Sequence, residues 1–508
     1  VVFALITVVG FVAYEFKGIG KFAQIMLPWD LSPNTYALII LSVTSVYVVT
    51  GGMHSVVLTE LFQFGLMTVV SIAIGILAIA TVSPEAINAV VPEGWRSLWF
   101  GWTMNMKWTG TFEMIQVKMA EDGMSLFSIF FGLMVFKGIL ASMAGPSPNY
   151  DMQRVLATRN QREASLMSAT VNVVLYFPRY MLIAGLTVLA LGPLRETLVQ
   201  MWGAAVQAGD KPDFEKILPL VIHNSILPTG LTGLLLAGLL AAFMSTFAGT
   251  INAGPAYVVN DIYKRFINPN ASNKVQVRMS YVVTVLVLVV GILFGYQATN
   301  ILGVTMWIVG GLYGGYVAAN VLRWHWWRFN GYGFFWGLLT GILGALFVPS
   351  LVKWLWPGTN ALYTFPPIFG LSVVGCLLGT FLSKAEDDEV LKNFYRTVRP
   401  WGFWGPIRAK VMAEDPSFEP NRDFGRDIFN IVVGTIWQTS LVVLPICLVI
   451  RETKGLVASL IVAAVTSLAL KKTWYDHLPP AEPSAAPVPQ PAKPEPVKSP
   501  RYGDEPAV

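Results

Sequence analysis

The stretch Leu235–Phe266, LLAGLLAAFMSTFAGTINAGPAYVVNDIYKRF, decides how the rest of the chain is read. It begins as an apolar helix long enough to enter a bilayer. Midway it carries Ser245, Thr246, Thr250 and Asn252 among small residues, and it ends in Asp261, Lys264 and Arg265. A helix alone in lipid does not keep that many hydroxyls and an amide, because each polar group in hydrocarbon needs a partner. Small residues let a neighbouring helix come close. The stretch therefore predicts a helix inside a bundle, with an oxygen-rich spot at mid-membrane.

Two readings of that spot stand side by side. Hydroxyl and carbonyl oxygens suit a hard cation such as sodium. The carbonyl of Ala242 lies about one turn before Ser245 and Thr246, on the side those two residues flank. The other reading is plain helix packing, since Ser and Thr often hydrogen-bond back to their own helix.

Working outward, the 508 residues are 54% hydrophobic and 13% charged, with a mean hydropathy of +0.57. A soluble domain carries about twice that charge. Apolar runs near the length of a membrane span recur throughout, which predicts an all-α polytopic membrane protein in the lipid bilayer. The spans are expected at about 2–26, 36–51, 55–81, 124–145, 165–192, 230–260, 279–298, 301–323, 332–352, 366–383, 429–450 and 455–470, about 12 transmembrane helices. The alternating pattern of a membrane β-barrel is absent.

Lys and Arg set the orientation. The base-rich loops hold Arg154, Arg159 and Arg162, then Lys264, Arg265, Lys274 and Arg278, then Arg323 and Arg328, and finally segment 384–428 and Lys471–Lys472. The alternate loops, among them Lys17, Lys21, Lys216 and Arg451, are poorer in base. The base-rich set is expected in the cytoplasm, with both ends of the chain, in a plasma (inner) membrane. Segments 82–123 and 193–229 become the main outer loops, the second partly a surface helix around Lys216–Asn224.

Residues 384–428 mix aromatics with bases and are expected to lie along the inner membrane surface. Two C-terminal spans follow within 429–470. The tail 471–508 is Pro- and Ala-rich and is expected to be disordered. The opening VVFALITVVGFV lacks Met and a basic n-region, and Glu15, Lys17 and Lys21 follow without a cleavage site, so it is read as a first span of a longer protein and not as a signal peptide. Cys376 and Cys447 both fall in predicted spans, with no disulfide or metal signal. No nucleic-acid motif and no nucleotide-binding loop occur. No nucleophile–base pair marks an enzyme.

Several segments together resemble the sodium/solute symporter family. Gly51-Gly52-Met53-His54-Ser55-Val56-Val57-Leu58-Thr59-Glu60-Leu61-Phe62-Gln63 is similar to its GG-x-x-x-V-V-W-T-D-x-x-Q signature at a cytoplasmic turn. Gln153-Arg154-Val155-Leu156-Ala157 resembles its Q-R-x-L-A segment. Ala241 to Tyr263 is similar to its A-A-x-x-S-S/T … N-D-I-Y motif, and Trp327-Arg328-Phe329-Asn330 to its W-K/R-x-N stretch. The resemblance runs from residue 1 to about 380, and residues 1–383 are read as the symporter core.

That resemblance implies a leucine-transporter-like inverted-repeat helix bundle. Its opening residues align with the third core helix, so the chain would lack the first helices, including the broken one that supplies half of the solute and sodium sites. The resemblance implies a sodium-coupled secondary transporter that imports a small organic solute by alternating access. It also implies a cation site in which Ala242 gives a backbone carbonyl and Ser245 and Thr246 their hydroxyls to Na+, the coupling ion. Glu60 matches an acid that serves a second cation site in some members; the alternative is a solvated acid near a helix N-terminus.

Sugar-carrying members stack an aromatic on the sugar where Ala144 stands here, and have a Lys where Val174 stands. A stacked pyranose is thereby disfavoured. Lys137 and Arg179 lie mid-span, where a charge is costly unless paired or wet. Either is expected to face the central cavity and pair with the carboxylate of an acid or amino-acid solute, or else to form a structural ion pair. Trp307 is a further candidate for the cavity wall. Two alternatives remain open at the level of sequence: a transport-inactive membrane sensor or scaffold on the same fold, and a sugar symporter. The sequence says nothing about oligomeric state.

Overall fold

A computed structural model describes residues 1–97, 127–145, 155–207, 214–223, 228–298, 301–357 and 361–480. Its described residues are helical throughout, apart from turns and one isolated bridge between Trp326 and Phe403. The helices are α1 Val2–Met26, α2 Pro33–Thr81, α3 Pro84–Asn88, α4 Phe127–Met143, α5 Gln161–Leu191, α6 Arg195–Gln207, α7 Ile217–His223 and α8 Thr229–Ala256. They continue with α9 Asn273–Gln297, α10 Ile301–Met306, α11 Tyr313–His325, α12 Gly331–Leu355, α13 Phe365–Phe381, α14 Asp388–Val398, α15 Gly405–Glu414, α16 Phe424–Val449 and α17 Thr453–Thr473. Wider π-helical turns extend α8 over Tyr257–Ile267 and join α10 to α11 over Trp307–Leu312.

Among the described residues nine helices are long and apolar enough to cross a membrane. Two departures from the expected spans have physical causes. The expected span 301–323 is broken into α10, the wide turn and α11, since a π-helical segment interrupts the regular i→i−4 ladder. The expected turn near Gly51-Gly52 is not a turn, because helical backbone continues from Pro33 to Thr81. Glycine lowers helix propensity by only about 1 kcal/mol and keeps its N–H, so a glycine pair without proline does not force a break.

The two arms of α2 pack separately. Ala37 and Leu41 join a cluster with Val12 and Phe16 of α1, Phe247 and Ile251 of α8 and Val287 of α9. Val70, Ile74 and Ala78 join another with Met181 and Val188 of α5, Val221 and Ile222 of α7, and Leu235 of α8. The second cluster changes one expectation. Segment 216–224, read as partly a surface helix, puts Val221 and Ile222 into the core. Two adjacent β-branched residues on a short apolar helix gain more from burial than from lying at an interface.

Close helix approach is concentrated at α11–α13. Gly315 and Gly341 meet backbone to backbone, and a Cβ on Gly315 would lie 2.4 Å from the Gly341 carbonyl carbon. The buried Ser372 hydroxyl of α13 lies 2.8 Å from the carbonyl oxygen of Gly315 and 2.9 Å from that of Gly337, within reach of both helices.

Several contacts join residues of the same expected loop set. Lys17 donates to Asn34 at 3.3 Å, Lys21 pairs with Glu215, and Arg451 donates to the carbonyl of Ile79, all within the base-poor set. In the base-rich set, Arg162 lies over Tyr475, 5.3 Å from its ring centroid.

Segment 384–428 folds into two helices. α14 and α15 bury Leu391, Tyr395, Trp404, Ile407 and Val411 against one another. The platform is tied to the end of α11 by Trp404 Nε1 donating to Trp324 O at 2.9 Å and by Phe403 N donating to His325 O at 2.7 Å. The turn needs Gly402 at φ 124°, where a side chain would be strained. The residues 481–508 of the expected tail, and 98–126 and 151–154 of the expected loops, lie outside the described residues.

Candidate functional site

The oxygen-rich spot lies on α8. Thr246 Oγ1 donates to Ala242 O at 3.0 Å, so two oxygens are held together on one helix face. Ser245 is half-buried beside them and Thr246 is exposed. The hydrogen bond is the back-bonding that a packing role predicts. It is also compatible with a cation, because a hydroxyl that turns its proton aside keeps lone pairs for a metal. One turn further, Thr250 is 1% exposed and faces α1. The donor set of neutral hydroxyl and carbonyl oxygens fits sodium by hardness.

Glu60 opens the second arm of α2 and is half-buried. Further along that arm, Met67 Sδ would lie 2.9 Å from a Cβ on Gly238 of α8.

The four candidate solute residues do not converge on one pocket. Ala144 is 1% exposed in a packed cluster with Phe3, Leu312 and Tyr316, and its carbonyl accepts from Trp324 Nε1 at 3.3 Å. Trp307 lies in the wide turn against Phe294, with ring centroids 5.2 Å apart, in a cluster with Ala13 and Ile308. Arg179 is exposed on α5, one residue after the buried Pro178, and its charge acts on the Tyr14 hydroxyl of α1. Lys137 is half-buried on α4 and makes no ion pair among the described residues.

Three of them, Ala144, Trp307 and Arg179, are linked through α1. Phe3 stacks on Tyr316 at 4.3 Å in the cluster that holds Ala144. A Cβ on Gly10 would lie 3.4 Å from the Trp307 ring, and Tyr14 feels Arg179. The spacing 3, 10, 14 keeps all three on one side of the helix. Val8, Val12, Phe16 and Ile19 pack with α8 and α9.

On that second side lies the residue sequence reasoning passed over. Glu15 is 4% exposed, and Thr250 Oγ1 donates to its Oε1 at 3.2 Å. An acid at the middle of an apolar span was a legible signal. Thr250 as its partner, 235 residues away in sequence, was not.

The Trp327-Arg328-Phe329-Asn330 motif is a clamp. Asn330 Oδ1 caps α12 by accepting from Gly333 N at 2.9 Å, while Nδ2 donates to Ser383 Oγ and Lys384 O, each at 2.7 Å. Arg328 donates to Ser383 O at 2.9 Å. The motif therefore joins the start of α12 to the end of α13.

The model of the sodium:solute symporter family matches residues 1–341. The chain is 24% identical over 334 residues to sodium/glucose cotransporter 4 of Danio rerio, covering 63% of this chain and 49% of that one. It is 26% identical over 345 residues to sodium/myo-inositol cotransporter 2 of Oryctolagus cuniculus, covering 63% and 48%. It is 29% identical over 168 residues to the sodium/proline symporter of Escherichia coli (strain K12), covering 32% of each. The chain thus spans about half the length, or less, of the curated relatives it matches. Among solved structures, a Na+-coupled sialic acid symporter in a substrate-bound outward-open state aligns with a TM-score of 0.53 at 16% identity, over 76% of this chain and 75% of that one.

Proposed function

The chain belongs to the sodium:solute symporter family, and from that premise we propose that it is a sodium-coupled secondary transporter that imports a small organic solute by alternating access. The observation that carries this reading is the pair of oxygens on α8, Ala242 O and Thr246 Oγ1, 3.0 Å apart. Ala242, Ser245 and Thr246 hold sodium from this side. The ion's inward gradient supplies the energy as one set of helices rocks against the other.

Glu60 is a candidate for a second cation. Met67 meets Gly238, and Val70 shares a cluster with Leu235, which supports an antiparallel course for the second arm of α2 and α8. Seven residues back from Met67 and seven forward from Gly238, Glu60 comes level with Ser245.

The solute carries a carboxylate. Arg179 and Lys137, basic side chains at mid-span, support that class. Ala144, packed where sugar-carrying members are expected to have an aromatic, argues against a stacked sugar. The base-rich loops face the cytoplasm of a plasma (inner) membrane.

Uptake into proteoliposomes under an inward sodium gradient tests the proposal, with proline, other amino acids, sialic acid, glucose and myo-inositol as the panel. Sodium-dependent uptake of a carboxylate solute, needing more sodium in Thr246→Ala, is the expected result. Uptake that ignores the sodium gradient, or that admits only sugars, overturns it.

A further inference from the structure

Glu15 lies within Val2–Met26, a helix apolar enough to cross a bilayer, and is 4% exposed. Its Oε1 accepts from Thr250, while its Oε2 is buried with no hydrogen-bond partner among the described residues. The side chains flanking it pack closely on α9: Val12 where a Cβ on Gly291 would sit, and Phe16 where one on Gly295 would sit.

The charged groups nearby are engaged elsewhere. On α1 itself, Lys17 turns to Asn34 of α2 and Lys21 to Glu215. Tyr14, the neighbour of Glu15, is acted on first by Glu15 and then by Arg179 of α5 and Glu215. From α9, Tyr296 meets Phe16 with ring centroids 5.1 Å apart. Among the described residues, no charged side chain of α2, α8, α9 or α10 acts on Glu15 itself. A bare carboxylate in such a place loses far more solvation than one hydroxyl returns. Sodium needs a shell of several oxygens, whereas Thr250 is the one side-chain hydrogen-bond partner of Glu15 among the described residues. A proton needs no shell.

We propose that Glu15 is a proton-binding site that is loaded while α1, α8 and α9 pack as they do here and is emptied when α8 parts from α1. The proton sits on Oε2, since Oε1 already accepts from Thr250. On opening, the Oε2–H bond breaks, its electron pair stays on the carboxylate and the proton passes to a water molecule. Repacking reverses the step. Only the link to helix movement rests on the transport reading; the site itself does not.

Infrared difference spectra of the protein in lipid, at neutral and at alkaline pH, give the test. The wild type should show the C=O stretch of a protonated carboxyl at neutral pH. The band should be absent from Glu15→Gln and unaffected by added sodium. Thr250→Val, which leaves Glu15 in place and removes its hydrogen bond, should shift the band. No band in the wild type, a band that persists in Glu15→Gln, a band erased by sodium, or no shift in Thr250→Val would each overturn the proposal. Bands as expected in a protein without sodium-driven uptake would uphold the proton site and remove the transport reading alone.

Discussion

The Thr246 hydroxyl of α8 donates to the carbonyl oxygen of Ala242 at 3.0 Å, so two of the three proposed sodium ligands are hydrogen-bonded to each other. Removing the hydroxyl leaves the carbonyl in place but deletes one coordinating oxygen. Thr246→Ala should raise the sodium concentration for half-maximal uptake by about tenfold, equivalent to ~1.4 kcal/mol. Thr246→Ser should restore it. Sodium titration of uptake checks this, and an unchanged titration in Thr246→Ala would return the pair to a packing role.

Arg179 stands exposed on α5, near enough for its charge to act on Tyr14. A guanidinium that meets a solute carboxylate contributes one charge-assisted pair, typically ~1.5–3 kcal/mol. Arg179→Gln should therefore weaken binding of a carboxylate solute by roughly ten- to a hundredfold, while Arg179→Lys weakens it less. Solute binding by calorimetry measures it. Full affinity in Arg179→Gln would exclude the pairing.

Gly315 and Gly341 touch through their backbones, and a new Cβ on Gly315 would sit 2.4 Å from Gly341. Neither helix can yield without moving its whole backbone. Gly315→Ala should destabilise the protein by about 1–3 kcal/mol, as overpacking does. Thermal unfolding in detergent should show a lower Tm, and a Tm equal to the wild type would contradict the close contact.

The platform α14–α15 makes a pH-dependent element outside the membrane spans. Lys392, and then Arg396, hydrogen-bond the Glu414 carboxylate and hold it below its usual value of 4.5. A group depressed on folding adds stability above its unfolded value, and that stability is lost as pH falls through the lower, folded one. Protection factors of α14 and α15 amides, corrected for the intrinsic pH dependence of exchange, should therefore be unchanged from neutral pH down to the ordinary carboxylate range and should fall below it. Glu414→Gln should remove that acid step. A step that survives in Glu414→Gln would assign it to another group.

The division between sequence and structure is plain at particular residues. The apolar runs determine a polytopic helical protein before any contact is known, because hydrocarbon admits few other ways to satisfy a backbone. The segregation of loops by Lys and Arg is likewise legible, and the pairs Lys21–Glu215 and Arg162–Tyr475 fall within the expected sets. The motif at Ala241–Tyr263 marked the oxygen-rich helix, since hydroxyls in an apolar run are conspicuous by composition alone.

What sequence left open were the relations between distant segments. It carried no sign that Ala144 would be packed away, that α2 would continue through Gly51-Gly52, or that Asn330 would reach across to Ser383. Glu15 shows the limit best. Its place in an apolar span marked it as costly, but its chemistry depends on which helix lies opposite. Only the packing of α1 on α8 brought Thr250 to one carboxylate oxygen and left the other buried without a partner. Local pattern determines that a polar atom must be satisfied, whereas tertiary structure decides by what.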